Sequence, residues 1–121
     1  MPLARATAAL VALAVAGGCG GEEPTAVVRN NSVEITLDEF LIAPQNLTAK
    51  PGRVTFRVVD RGRLRHSFRL WGADSAPVEI ESILPGDEAV RVGTLAPGEY
   101  RMVCTVSNHA ELGMTGRLVV R

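Results

Sequence analysis

Histidine is scarce in this 121-residue chain, with one at position 66 and one at 109. Cysteine is equally scarce, at 19 and 104. Two imidazoles are too few for two metal centres, which excludes chemistry that runs on a second histidine-bound metal within this chain. Net charge is missing as well, because 13 basic side chains face 13 acidic ones. With no positive surplus and no basic run threaded with aromatics, there is no footprint for nucleic acid. No internal repeat and no low-complexity tract is present. Beyond Gly20 there is no helical periodicity of useful length; a single helical turn has room only at Glu39 to Gln45 or Trp71 to Ala76. The apolar run Ala8 to Ala16 falls far short of the ~20 residues that a membrane-spanning helix needs.

That short run has another use. Arg5 gives a positive start, Ala8 to Ala16 an apolar middle, and Ala16-Gly17-Gly18 small residues directly before Cys19. This is the layout of a secretory signal peptide over residues 1–18, and the final residues resemble a bacterial lipoprotein cleavage site with Cys19 as the lipidated residue. The usual site prefers leucine where Ala16 stands. An acylated Cys19 implies an exported protein held to a membrane surface, periplasmic or at the cell surface. It also leaves Cys104 as the one thiol of the mature domain. An exported protein normally pairs its cysteines, and a lone thiol in an oxidising compartment is a liability unless something such as a metal occupies it.

Residues 19–30 read as the lipidated cysteine and a small, polar tether, and residues 31–121 as one domain. The domain is punctuated as all-β. Val33, Ile35 and Leu37 alternate with Ser32, Glu34 and Thr36, and Val54, Phe56 and Val58 form another apolar face. Leu64, His66, Phe68 and Leu70 share one face of a strand and Arg63, Arg65, Ser67 and Arg69 the other. Turn signals at Pro51-Gly52, Asp60 to Arg63, Pro85-Gly86 and Ala96 to Glu99 separate the strands. Seven or eight strands at this spacing predict a β-sandwich.

The chemistry lies near the C-terminus, where Cys104, His109 and Met114 form a Cys-x4-His-x4-Met pattern. His66 is the remaining histidine, and the spacing sets it on a neighbouring strand. Two imidazoles and a thiolate make a trigonal metal site, and a thioether adds a weak, long axial contact. Thiolate favours copper(I) and imidazole accepts copper(II), so such a site changes oxidation state with little rearrangement. Taken singly, a buried histidine, cysteine or methionine is ordinary packing. Three of the four share one loop, which favours a metal.

The segments Glu39-Phe40 with Pro44, Leu47 to Phe56, His66-Ser67-Phe68, Pro97 to Tyr100, the Cys104 to Met114 loop, and Gly116 to Val120 together resemble the cupredoxins. The loop length and the Gly113-Met114 ending resemble the auracyanin and sulfocyanin branch. The resemblance implies a Greek-key sandwich and one type 1 (blue) copper ion bound by His66, Cys104, His109 and Met114. It implies a monomeric electron carrier rather than an enzyme, serving redox partners of the cytochrome or oxidase type, with the electron leaving through His109 among Ala110, Leu112, Pro44 or Pro85. Two positions depart from the pattern. Ser107-Asn108 stands where Pro-Gly is common, with Asn108 the residue better suited to left-handed backbone. Ser67 replaces an asparagine that bonds across to the cysteine-bearing loop, with a shorter side chain. Tyr100 resembles a tyrosine corner. Trp71 reads as core or interface, and the arginines at 57, 61, 63, 65 and 69 as a solvated sheet face. The alternative function is copper delivery or storage, for which three methionines, Met1 included, give thin support. A copper enzyme would need further histidines, and a two-copper electron-entry site a second loop cysteine.

Overall fold

The computed structural model describes residues 24–121. The expected signal peptide, residues 1–18, and Cys19 lie outside the described residues. Ten strands follow in order: β1 Thr25–Val27, β2 Ser32–Asp38, β3 Leu41–Ala43, β4 Asn46–Ala49, β5 Gly52–Asp60, β6 His66–Trp71, β7 Val78–Ile83, β8 Glu88–Leu95, β9 Gly98–Val103 and β10 Thr115–Val120. One sheet has the order β1-β4-β10-β9-β6-β7 and the other β3-β2-β5-β8. The chain crosses repeatedly between the two, as a Greek-key sandwich requires.

The alternation read from the sequence forms the core. Ile35 and Leu37 of β2 and Val54, Phe56 and Val58 of β5 are buried, and so are Phe68, Leu70, Met102 and Leu118 of the opposite sheet. Phe56 and Phe68 meet across the sandwich with ring centroids 6.3 Å apart. Removing each such side chain from water contributes about 1.5–3 kcal/mol, which is what holds the sheets face to face. On β8 the small residues Ala89 and Gly93 turn inward while Val90 and Val92 stay half exposed. A side chain at Gly93 would meet Val78 at 2.9 Å and the Pro77 carbonyl at 3.2 Å, so glycine lets the two sheets approach there.

Ten strands replace the expected seven or eight because β1 and β3 are three residues long, too short to show a period of two. β3 occupies the Glu39 to Gln45 segment where a helical turn had room, and Trp71 to Ala76 is not helical either. β1 falls inside the expected tether. It pairs in parallel with β4, Val28 donates to the Thr48 carbonyl at 2.8 Å, and Ala26 and Val28 pack against the core. Strand pairing is therefore already present at Thr25, within the segment read as tether. Asn30 and Asn31, both at φ 53°, turn the chain from β1 to β2; asparagine tolerates this left-handed region better than other side-chain-bearing residues.

Leu64 does not share the inward face. β6 begins at His66, and Leu64 sits in the connection before it with 45% of its surface exposed. Ser67, expected on the outer face, is buried. Trp71 is not core; it is half exposed beneath the Arg69 guanidinium, 4.2 Å from its ring centroid. The arginines also divide between the sheets. Arg57 on β5 pairs with Glu34 at 2.6 Å, while Arg69 on β6 pairs with Glu79 at 2.9 Å. Exposed pairs of this kind contribute little to stability.

Tyr100 forms the tyrosine corner. Its hydroxyl donates to the Ala96 carbonyl at 3.0 Å and accepts from the Ala96 amide at 3.1 Å, which pins the β8–β9 turn. Tyr100→Phe is expected to lower stability by about 1–2 kcal/mol in urea denaturation.

Candidate metal centre

His66 opens β6, Cys104 follows the last residue of β9, and His109 lies in the loop that leads to β10. Backbone bonds fold that loop tightly. His109 donates to Val106 at 3.0 Å, Leu112 to Asn108 at 3.2 Å and Gly113 to Ala110 at 3.1 Å. Helix-like turns thus occur here, inside the ligand-bearing loop. The loop closes where Met114 N donates to the His109 carbonyl at 3.1 Å and Cys104 N to the Met114 carbonyl at 3.1 Å. Ser107 at φ 45° takes the left-handed conformation expected of Asn108. The turn bond runs from His109 to Val106, which makes Ser107 its first central residue, and positive φ belongs at that position of a primed turn.

The three donors converge. The His66 and His109 Nδ1 atoms are 3.2 Å apart, and the Cys104 Sγ lies 3.6 Å from His109 Nδ1 and 4.0 Å from His66 Nδ1. A point equidistant from all three lies roughly 2.1 Å from each, the length of a metal–imidazole bond. Among the described residues this is the one such group of histidine, cysteine and acidic side chains. His66 and Cys104 are fully buried, and His109 keeps 7% exposure. Two imidazole nitrogens and a sulfur aimed at one point are a nitrogen-and-sulfur donor set, so the cradle suits a metal cation. Met114 is fully buried at the same closure. The donor chemistry is that of a type 1 copper site.

Ser67 secures the cysteine. Its backbone amide donates to Sγ at 3.4 Å, and its hydroxyl lies 3.7 Å from the same sulfur. The hydroxyl also accepts from the Thr105 amide at 2.7 Å and meets the Thr105 hydroxyl at 2.8 Å. The shorter side chain therefore does reach across to the cysteine-bearing loop. Adjacent residues should point to opposite faces, yet His66 and Ser67 both reach Cys104. The β6–β7 register slips between His66 and Phe68, and such a bulge re-aims side chains.

The turn between β2 and β3 supplies two neighbours that the sequence reading assigned no role. Glu39 Oε1 lies 3.2 Å from His66 Nε2 and accepts the amides of Arg63 at 2.7 Å and Leu64 at 2.8 Å. Burial pushes the Glu39 carboxyl up, but the amides of Leu64 and Arg63, with Asp38 and His66, outweigh it and hold the group down at about 2. Phe40 packs edge-on against His109, with ring centroids 5.0 Å apart. Adjacent residues thus touch one histidine each. Asp60, fully buried at the end of β5, accepts the Gly62 amide at 2.9 Å and shapes the connection to His66; burial pushes its carboxyl up. Only a signal at long sequence separation would have revealed these contacts. Ser67→Ala is expected to remove the part-buried bond to the Thr105 amide and cost about 0.5–1.5 kcal/mol in chemical denaturation of the metal-free protein.

No family model and no curated protein matches the sequence. Solved structures do match. Dithionite-reduced auracyanin from Roseiflexus castenholzii shares 19% identity at a TM-score of 0.68, over 75% of this chain and 97% of that one. Auracyanin A, a "blue" copper protein from Chloroflexus aurantiacus, shares 23% at 0.65, over 79% and 100%. Reduced rusticyanin shares 18% at 0.60, over 80% and 84%. At these identities the likeness speaks for the architecture, and the architecture is that of the cupredoxins.

Proposed function

We propose that this protein is a type 1 copper electron carrier, with His66, Cys104 and His109 as equatorial ligands and Met114 as the weak axial one. The observation that carries the reading is the 3.2, 3.6 and 4.0 Å triangle of the three donors at the buried end of the sandwich. Copper held there supplies a one-electron couple. The residues do the rest. They fix the donors in one geometry for both oxidation states, so that little rearrangement accompanies transfer. With four protein ligands no position is left open for substrate.

The slight exposure of His109 supports it as the electron's exit. Its aromatic neighbour is Phe40. Leu112 of the ligand loop, Leu41 next to Phe40, and Leu64 beside Glu39 are each about half exposed. Apolar residues around the ligand end suit brief encounters with a redox partner, a cytochrome or an oxidase. Full burial of two ligands argues against copper delivery, which needs donors within a recipient's reach.

Copper(II) added to the metal-free protein is expected to give an intense visible band from thiolate-to-copper charge transfer, retained over cycles of reduction and oxidation. Cys104→Ser should abolish the band; colour surviving in that variant, or release of copper on reduction, would defeat the reading. Met114→Leu should keep the colour and raise the potential in cyclic voltammetry, because the axial bond is weak.

The proposal extends to location. The signal-peptide layout and Cys19 support export and membrane anchoring through a diacylated cysteine. Expression of the full chain in a bacterial host with labelled palmitate should label the wild type and leave Cys19→Ala unlabelled and in the soluble fraction.

A further inference from the structure

Building on the copper reading above, we infer that Glu39 is a positioning residue for the metal, holding His66 through Nε2 so that Nδ1 faces the copper and stabilising the oxidised over the reduced ion.

The geometry is specific. His66 is fully buried, and each of its ring nitrogens has one polar direction: Nδ1 looks to Cys104 and His109, Nε2 to Glu39 Oε1 at 3.2 Å. An imidazole bound to metal through Nδ1 carries its proton on Nε2. That proton then donates to the Glu39 carboxylate, which fixes both tautomer and ring orientation. The carboxylate is itself held. The Arg63 and Leu64 amides donate to the same Oε1 from the connection that leads into β6. One oxygen therefore ties the β2–β3 turn to the strand that opens with His66. It also brings negative charge to the ligand, which raises the basicity of Nδ1 and favours copper(II). The ring of the other ligand, His109, meets Phe40, an uncharged partner. The two histidines are thus held unequally.

Gly62 supplies an independent handle. A β-carbon built on Gly62 would run into the Glu39 carboxylate. Because the obstructed atoms are the far end of a flexible side chain, Gly62→Ala should displace Glu39 without unfolding the domain.

The test has two arms. In the first, nitrogen-15 NMR of the copper-free and copper(I) proteins reads the His66 tautomer. Wild type is expected to show Nε2–H alone. Glu39→Gln, which keeps an accepting oxygen, should preserve it, while Glu39→Ala and Gly62→Ala should mix the tautomers. In the second, copper(II) affinity relative to copper(I) is measured by voltammetry. Glu39→Gln should lose about tenfold, an upward shift of ~59 mV for one electron, within the range expected for partners of a ligating histidine. Glu34→Gln, which removes an exposed carboxylate paired with Arg57, is the control and should stay at the wild-type value.

An unchanged tautomer in Glu39→Ala overturns the inference. So does a potential that is unchanged in Glu39→Gln, or that moves equally in Glu34→Gln. If wild type binds no copper as a blue species, the function proposed above fails, and the tautomer arm on the copper-free protein still decides whether Glu39 sets His66.

Discussion

Everything in this domain answers to three lone-pair donors forced together out of reach of water. Two ring nitrogens and a sulfur meet within four ångströms, two of the residues with no exposure at all. Each offers a lone pair toward the same point, and lone pairs crowded together repel unless a positive charge stands between them. The sandwich tolerates it because the surrounding contacts over-determine the donors. Ser67 binds the sulfur and the Thr105 amide, backbone bonds close the loop from Cys104 to Met114, and the core beneath is apolar and closely packed. A cation resolves the conflict that the fold creates.

Rigidity around the donors is the physical basis of an electron carrier. Copper(I) and copper(II) prefer different surroundings, and a site free to follow each preference would rearrange at every transfer. Here β6 and β9 are hydrogen-bonded neighbours, so the strand that opens with His66 and the one that leads into Cys104 cannot drift apart. His109 is tied through Val106, and Phe40 braces its ring from the other sheet's edge. The bulge in β6 lets consecutive residues serve the same sulfur, one as its fellow donor and one as its hydrogen-bond partner.

Much of this was legible in the sequence because its causes are local. Period-two alternation gave β2 and β5, turn residues separated the strands, and the Cys104 to Met114 spacing marked the loop. What escaped had long-range or very short-range causes. β1 and β3 are shorter than the pattern that would reveal them. Leu64 fits the alternation of His66 and Phe68, yet the strand starts two residues later, after a turn set by Asp60. Asparagine's tolerance of left-handed backbone pointed to Asn108, but the hydrogen-bond register of the turn assigns that conformation to Ser107. Glu39 lies far from His66 in sequence, and only the pairing of β2 with β5 brings its turn beside the approach to His66.

The early strand β1 alters how such a molecule would explore its surroundings. Only five residues separate Cys19 from Thr25, where pairing with β4 begins. Fully extended, six steps of chain reach about 20 Å, less than the diameter of the domain they carry. Were Cys19 acylated as proposed, a protein moored that closely could not roam outward to meet a partner; it would skim the lipid plane and roll. Which end of the sandwich it offers would then become a question of orientation above a surface, and a suitable acceptor would be one whose own docking face stands at that height.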